Sequence, residues 1–552
     1  MNDRTLAGMK ILRRVRGIVA LTCLCVIFST EACAKQTPPS PPPPAEIRIE
    51  PASTIPRSPI GTGLDGLISY STEFPFNDIF KTSSPWMSGT ADVWDDGRPL
   101  DLDEHGWVRS LRRGQRAITV MMFGSQMWVP DASGSGVYRV PAGRFTVTYE
   151  GEGTIEYDVA RVVEHGPGRD VIELTVTDTN AGLALYLTAV NPRNHIRNIR
   201  VLMPNAKPDE IFNPAFIESL RGYRLIRFLG WTFGPTAEDA AHTPHVWSQR
   251  PLMTDARWES SRSGPPIEIM ADLVNRLDVD AWFNIPHEAE DEFVRSFAEL
   301  LKNKLEPDRK VYIEHSNEVW NPMFPEHAYA ERRGLELGLA EDAYNAGNRY
   351  HARRTREIGA IFREVLGRDR VVVLLAGQAD YPPIADEMLA WNGTAADVDA
   401  LATAPYFGYE LGLPDSAAVV GRMTLDQLFR ELETKTLPQT IACIAEHAEI
   451  ARRHSLPLIT YEAGQHLCNL GEPKDARVEA LFDAANRDPR MGRLYTTLIS
   501  EWSRLSGGGL FTHLMHCGQP GSGGRWGLIE YQGQPRAEAP KYDAVLQWIE
   551  GK

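Results

Sequence analysis

The feature that most constrains this chain is a change of rhythm after about residue 211. From there on, short apolar runs alternate with amphipathic stretches. Leu225–Trp231, Ala281–Ile285, Lys310–His315, Val371–Leu375, Ala400–Ala404, Leu458–Glu462 and Gly509–Leu514 read as strands. Asp291–Asn303, Ala340–Leu366 and Gln439–His454 read as helices between them. Strands buried on both faces are continuously apolar, and strand–helix alternation is the pattern of a parallel sheet. An eighth run, Ile60–Tyr70, lies far upstream. Eight such strands closing on themselves predict an α/β fold, a (β/α)8 TIM barrel. An open doubly wound sheet fits less well, because no Gly-rich phosphate loop opens any strand-to-helix turn.

Between Arg116 and Val201 the period is two instead. Phe145, Val147 and Tyr149 alternate with Thr146 and Thr148, and Val171–Val176 and Leu183–Leu187 read as further strands. Gly134-Ser135-Gly136, Gly151-Glu152-Gly153 and Gly166-Pro167-Gly168 supply turns. This is the signature of an antiparallel β-sandwich. Its place between the first and second barrel strands predicts an insertion; the alternative is a separate N-terminal β domain followed by a barrel. The expected division is 59–89 for the first barrel strand and its loop, 90–205 for the sandwich, and 206–552 for the remaining barrel.

Residues 1–34 predict an export signal. Arg4, Lys10, Arg13, Arg14 and Arg16 precede the apolar run Gly17–Phe28, which is too short to span a bilayer comfortably. Two exits are open: cleavage after Ala34, or lipid modification of Cys33 in a bacterial lipoprotein. The second would make a lipid anchor the only membrane contact. A Pro-rich linker, 35–58, follows as an extended spacer. Losing the leader removes five basic and two acidic residues and takes the formal net charge from −15 to −18. Such a surface argues against nucleic acid as a partner. Export permits disulfides, but Cys443, Cys468 and Cys517 cannot all pair within one chain; a single bridge is left open.

Two strand ends carry chemistry. Lys310-Val-Tyr-Ile-Glu-His-Ser-Asn317-Glu318-Val-Trp320-Asn321 ends the fourth strand in Asn-Glu, and Leu456-Pro-Leu-Ile-Thr-Tyr461-Glu462-Ala-Gly464 ends the seventh in Glu. Catalytic groups of a barrel gather at the C-terminal ends of its strands. Two carboxyls converging there are the minimal equipment for cleaving a glycosidic bond.

Asn317-Glu318 and Glu462 resemble the signature of clan A retaining glycoside hydrolases. The resemblance spans Ile60 to Lys552 without the sandwich. It implies Glu318 as acid/base, Asn317 as the ligand of the sugar 2-hydroxyl, and Glu462 as nucleophile. It further implies that Arg227 holds the nucleophile ionised and that Tyr406 hydrogen-bonds it. Many clan members carry His two residues before that tyrosine, where this chain has Ala404. Trp526 matches the aromatic floor beneath the sugar. Glu314–Asn321 and Ile60–Trp86 also resemble secreted bacterial proteins loosely described as cellulose-binding. The implied partner is a polysaccharide or oligosaccharide, β-glucan first, and the chemistry requires no metal or organic cofactor. The competing reading is a cell-surface carbohydrate-binding protein on a barrel that has lost activity.

Other residues invite a role and have a plainer one. His287, after the third strand, is placed to reach substrate. Trp231, Trp247 and Trp282 suit a sugar cleft or the core. Glu73 suits substrate binding or a turn. His466, Cys468, His513 and His516 resemble metal ligands only by residue type, since the last two sit at odd spacing on strand and loop. No Gly-x-Ser-x-Gly elbow supports a serine hydrolase.

Overall fold

The computed structural model describes residues 57–124, 128–130, 136–175, 182–232, 245–260 and 264–552. The export signal, Cys33 and nearly all of the Pro-rich linker lie outside these residues. Eight strands form one parallel sheet in the spatial order of a barrel: Ile60–Gly63, Leu225–Arg227, Asp280–Ile285, Val311–His315, Val371–Ala376, Ala400–Thr403, Leu458–Thr460 and Phe511–His513. They are numbered one to eight below. Strand one pairs with both two and eight.

The seam between strands seven and eight is closed by Thr460. Its N–H donates to the Leu510 carbonyl at 3.0 Å. Its hydroxyl donates to the Thr512 carbonyl at 2.9 Å and accepts from the Thr512 N–H at 2.6 Å. A side chain thus completes the ladder that the backbone leaves open.

Alternation along each strand sorts residues between two cores. Ile226, Phe283, Val311, Ile313, Val373, Leu401, Leu458 and Phe511 face the helices and join the large outer core. Each such buried side chain contributes roughly 1.5–3 kcal/mol. Leu225, Trp282, Leu374, Ala400, Ala402, Ile459, Tyr461 and Leu510 fill the barrel interior. The helices following strands three, four and six are Asp291–Lys304, Ala343–Leu366 and Leu437–Arg453, within a few residues of expectation. Ala343–Leu366 starts from Asp342, whose carboxylate accepts from the Asn345 N–H.

Several expected strands are shorter than their apolar runs. The run Ile60–Tyr70 yields only Ile60–Gly63, and Leu225–Trp231 stops at Arg227. Residues Leu229–Thr232 form a helical turn instead, because Trp231 is packed among Phe76, Phe216 and Phe228. The seventh strand ends at Thr460, two residues before Glu462.

The antiparallel strands lie between barrel strands one and two. One sheet has the order 161–166, 169–174, 143–150, 197–202 and the other 87–89, 116–122, 183–190, 153–158. Phe145, Val147, Ile172, Leu174, Leu185 and Leu187 are buried between them. Arg144 and Thr146 point the other way, as period two demands. Trp258, after barrel strand two, donates its N–H to the Lys81 carbonyl at 2.7 Å, and Ala256 donates to that of His105 at 2.9 Å, tying sandwich to barrel. Among the described residues no helix is long and apolar enough to cross a membrane.

Candidate active site

The floor of the barrel mouth is built on one buried arginine. Parallel register sets Arg227 beside Trp282 and Asn284 beside Glu314, all inward-facing. Arg227, only 1% exposed, donates from Nη1 to Glu462 Oε1 at 2.7 Å. Its Nε and Nη2 donate to Glu314 Oε2 at 3.2 and 2.8 Å, and Nη2 reaches Asn317 Oδ1 at 3.1 Å. Trp282 and Tyr461 flank the guanidinium, each ring centroid about 5.5 Å away. A charge this deep persists only with partners that replace water, and here two carboxylates do so.

Glu318 stands on strained backbone. Ser316 has φ 59° and Glu318 φ 42°, the left-handed region that costs a residue with a Cβ about 1 kcal/mol or more. The turn is pinned where it leaves strand four: the Ser316 N–H donates to the Ile285 carbonyl at 2.7 Å, and Asn284 Nδ2 donates to the Ser316 carbonyl at 2.8 Å. The result swings the Glu318 carboxyl over the barrel. It is 8% exposed and accepts from Asn321 Nδ2 at 2.9 Å and from the Tyr461 hydroxyl at 3.2 Å. Burial, helped by the Glu462 charge, pushes its pKa up to about 8.

Glu462 is held differently. One oxygen takes the Arg227 bond and the other accepts from the Tyr406 hydroxyl at 2.9 Å. Tyr406 comes from an extension of the barrel wall: Tyr406–Phe407 pairs in parallel with Gly464–Gln465, just above strands six and seven. Ala404 sits buried beneath, its carbonyl accepting the Tyr406 N–H at 2.9 Å. The tyrosine therefore reaches the carboxylate without a histidine at position 404.

Trp526 borders this pair. Its indole, half-buried, meets Tyr406 edge to face at 5.6 Å and His466 at 4.8 Å. Its Nε1 donates to the Gly523 carbonyl at 2.9 Å. Gly524 has φ 126°, and a Cβ there would come within 2.2–2.8 Å of the indole, so only glycine admits this ring position.

The structure thus brings Arg227, Asn317, Glu318, Tyr406, Glu462 and Trp526 to one mouth. His287 stands apart from that hydrogen-bond network. It packs against Tyr329 at 5.1 Å, its Nδ1 has no partner among the described residues, and burial holds its imidazole below the ordinary range. Trp231 and Trp282 are fully buried core rather than cleft, and Trp247 packs on Phe293. Glu73 is buried, with both carboxyl oxygens unpartnered among the described residues. Burial and then Asp65 raise its pKa well above the usual carboxyl range.

Among the described residues Cys443, Cys468 and Cys517 form no disulfide. His513 bonds the Ala463 carbonyl at 2.8 Å, whereas His516 packs between Tyr223 and Tyr542. Among the described residues no group of three or more His, Cys, Asp or Glu could hold a metal ion.

Reading the sequence missed Glu314, Tyr461 and Asn321 as members of the site. All three lie inside the two motifs already singled out. Alternation from Tyr312 would have placed Glu314 inward. Alternation from Ile459 likewise places Tyr461 inward; its neighbour Glu462 would then face outward, and it reaches the mouth because the strand has already ended at Thr460.

No protein-family model and no curated protein matches the chain. Among solved structures it is similar in part to an α-L-arabinofuranosidase from Thermotoga maritima, at 13% identity and a TM-score of 0.34 over 58% of this chain and 60% of that one. It is similar likewise to an endo-β-1,4-mannanase from Cellulomonas fimi (11%, 0.31, over 51% and 57%). A xylanase from Cellvibrio japonicus is a third (7%, 0.34, over 85% and 98%). The chain spans about three-fifths of the length of the arabinofuranosidases it resembles. Likeness at this level says nothing about substrate.

Proposed function

We propose that this protein is a retaining glycoside hydrolase acting on β-linked glycans, with Glu318 as acid/base and Glu462 as nucleophile. The observation that carries the reading is the unequal treatment of two carboxyls at one barrel mouth. Burial keeps Glu318 protonated up to about pH 8, while Glu462 is clamped between a guanidinium and a tyrosine hydroxyl. Double displacement needs that division.

In the first step a Glu462 oxygen attacks the anomeric carbon. Glu318 gives its proton to the departing glycosidic oxygen, and the bond from the anomeric carbon to that oxygen breaks. In the second step Glu318, now a carboxylate, takes a proton from water, whose oxygen displaces Glu462 from the same carbon. Asn317 accepts the Arg227 bond through Oδ1, leaving its amide nitrogen as the donor for the sugar 2-hydroxyl. Trp526 offers an apolar face to the ring.

The β-glucan or cellulose-like preference rests on the resemblance of Asn317-Glu318 and Glu462 to clan A enzymes. The acidic surface suits a neutral polymer. Export to the periplasm, outer membrane or medium rests on residues 1–34 alone and is tested by cell fractionation.

The decisive experiment assays the purified protein on β-glucan, mannan, xylan and arabinan, with Glu462→Ala and Glu318→Gln beside it and product anomers followed by NMR. The expected result is cleavage with retained configuration, falling by about 10⁴-fold or more in Glu462→Ala. Cleavage unaffected by Glu462→Ala overturns the nucleophile. Glycans bound but never cut favour the carbohydrate-binding reading.

A further inference from the structure

Glu314 is a buried carboxyl that the reaction above leaves without a task. It is 0% exposed, and its Oε2 accepts four bonds: Arg227 Nε and Nη2, Trp282 Nε1 at 2.9 Å and Asn284 Nδ2 at 2.7 Å. Its Oε1 has no partner among the described residues. Nothing about the fold demands a carboxyl here. The neighbouring inward positions are Leu225, Trp282, Tyr312 and Leu374, and an apolar side chain of similar volume would avoid desolvating a charge.

What Glu314 does is occupy one side of Arg227. The guanidinium spends Nε and one Nη2 bond on Glu314 and only Nη1 on Glu462. We infer that Glu314 is a positioning residue of the reaction: it divides the buried Arg227 cation between two carboxylates and turns the Nη1 edge onto Glu462. The catalytic consequence rests on the hydrolase reading; the division of charge does not.

Two effects follow, in the same direction. An undivided Arg227 would draw electron density from Glu462 more strongly and make it a poorer nucleophile. It would also favour the ionised form of Glu318, leaving less of the acid at neutral pH. The charged and titratable groups facing Glu318 are Glu462 and Tyr461 beyond strand seven, Tyr406 beyond strand six, and Arg227 on strand two. Of these Arg227 bonds Glu314 directly, and the Glu314 charge also acts through space on Glu462 and Tyr461.

The test titrates Glu318 directly. The full chain is labelled with carboxyl-¹³C glutamate, and the Glu318 resonance is assigned by its loss in Glu318→Gln. In Glu314→Gln the Glu318 midpoint should fall by about one pH unit, the order of shift a nearby charge produces. The basic limb of kcat/KM on a cleaved glycan should move with it, and kcat should fall more than KM changes. Should Glu314→Gln fail to fold, Glu314→Met removes the same charge at similar volume and must lower the midpoint too. A midpoint unmoved from the wild type overturns the inference. If the midpoint moves but the wild type cleaves no glycan, the charge division stands and the hydrolase reading falls. If a glycan is cleaved and the midpoint stays, the hydrolase reading stands and Glu314 is a packing residue.

Discussion

Arg227 Nη1 lies 2.7 Å from Glu462 Oε1, and both residues are nearly sealed from solvent, at 1% and 6% exposed. The contact depends on the planar fork of arginine, which serves Glu462, Glu314 and Asn317 at once. Arg227→Lys keeps the charge but offers a single ammonium, which cannot span all three. Its kcat/KM should fall by about 10²-fold, with the fold retained. Arg227→Met leaves two carboxyls without their cation and should cost about 3–5 kcal/mol of stability. Steady-state kinetics and chemical denaturation of both variants check this; an unimpaired Arg227→Lys would mean that only charge matters.

Glu318 links the site to stability. Its folded pKa, about 8, lies above the ordinary value of 4.5, so the native state holds a proton that the unfolded chain releases between those values. Its stability contribution is therefore complete below about pH 4.5 and is lost as pH rises towards 8, with a slope of at most about 1.4 kcal/mol per pH unit. Glu318→Gln has no proton to lose. Denaturation midpoints of the two proteins should converge near pH 5 and separate by pH 8, with the inactive variant the more stable. Parallel curves would show that the carboxyl is not buried as described.

Tyr461 predicts a shift of the opposite sign from Glu314. Its hydroxyl donates to Glu318 at 3.2 Å, which favours the carboxylate. Tyr461→Phe removes that donor and should raise the Glu318 midpoint, moving the basic limb of the pH–rate profile upward by a fraction of a unit. The first chemical step should survive at neutral pH. A downward shift would mean that the phenol acts chiefly through packing against Arg227.

Apolar runs bounded by helices located all eight barrel strands, because a wall buried on both faces admits little else. The candidate site residues Asn317-Glu318 and Glu462 stand out for the same reason: they are polar where an apolar run stops. Strand lengths were less legible. Apart from Arg227 and Gly230 the run Leu225–Trp231 is apolar, yet Trp231 leaves the strand to pack on Phe76 and Phe216, a tertiary demand that local pattern does not contain. The positive φ at Ser316 and Glu318 was equally hidden, since neither residue type announces it; the Ile285 and Asn284 bonds hold Ser316, and the Asn321 N–H holds the Glu318 carbonyl. His287, after strand three, lies apart from the Arg227 hydrogen-bond network and packs against Tyr329, a tertiary contact that its place in the sequence does not announce.

Gly524 fixes the position of the Trp526 indole, the face proposed to carry the sugar. The Trp526 indole occupies the space a Cβ at 524 would need, the nearest ring atom lying 2.2 Å from that position. Gly524→Ala therefore does two things. It strains a backbone held at φ 126°, and it pushes the indole off Tyr406 and His466. Glu462 itself keeps its Arg227 and Tyr406 bonds, so the carboxyl chemistry is untouched. The expected result is a KM raised by about tenfold, the scale of one lost aromatic contact of roughly 1.5 kcal/mol, with kcat changed far less. Trp526→Ala should reproduce the KM effect without the backbone strain, so its denaturation midpoint should stay closer to the wild type. If Gly524→Ala loses stability while KM holds, the indole is a packing residue and the sugar rests elsewhere.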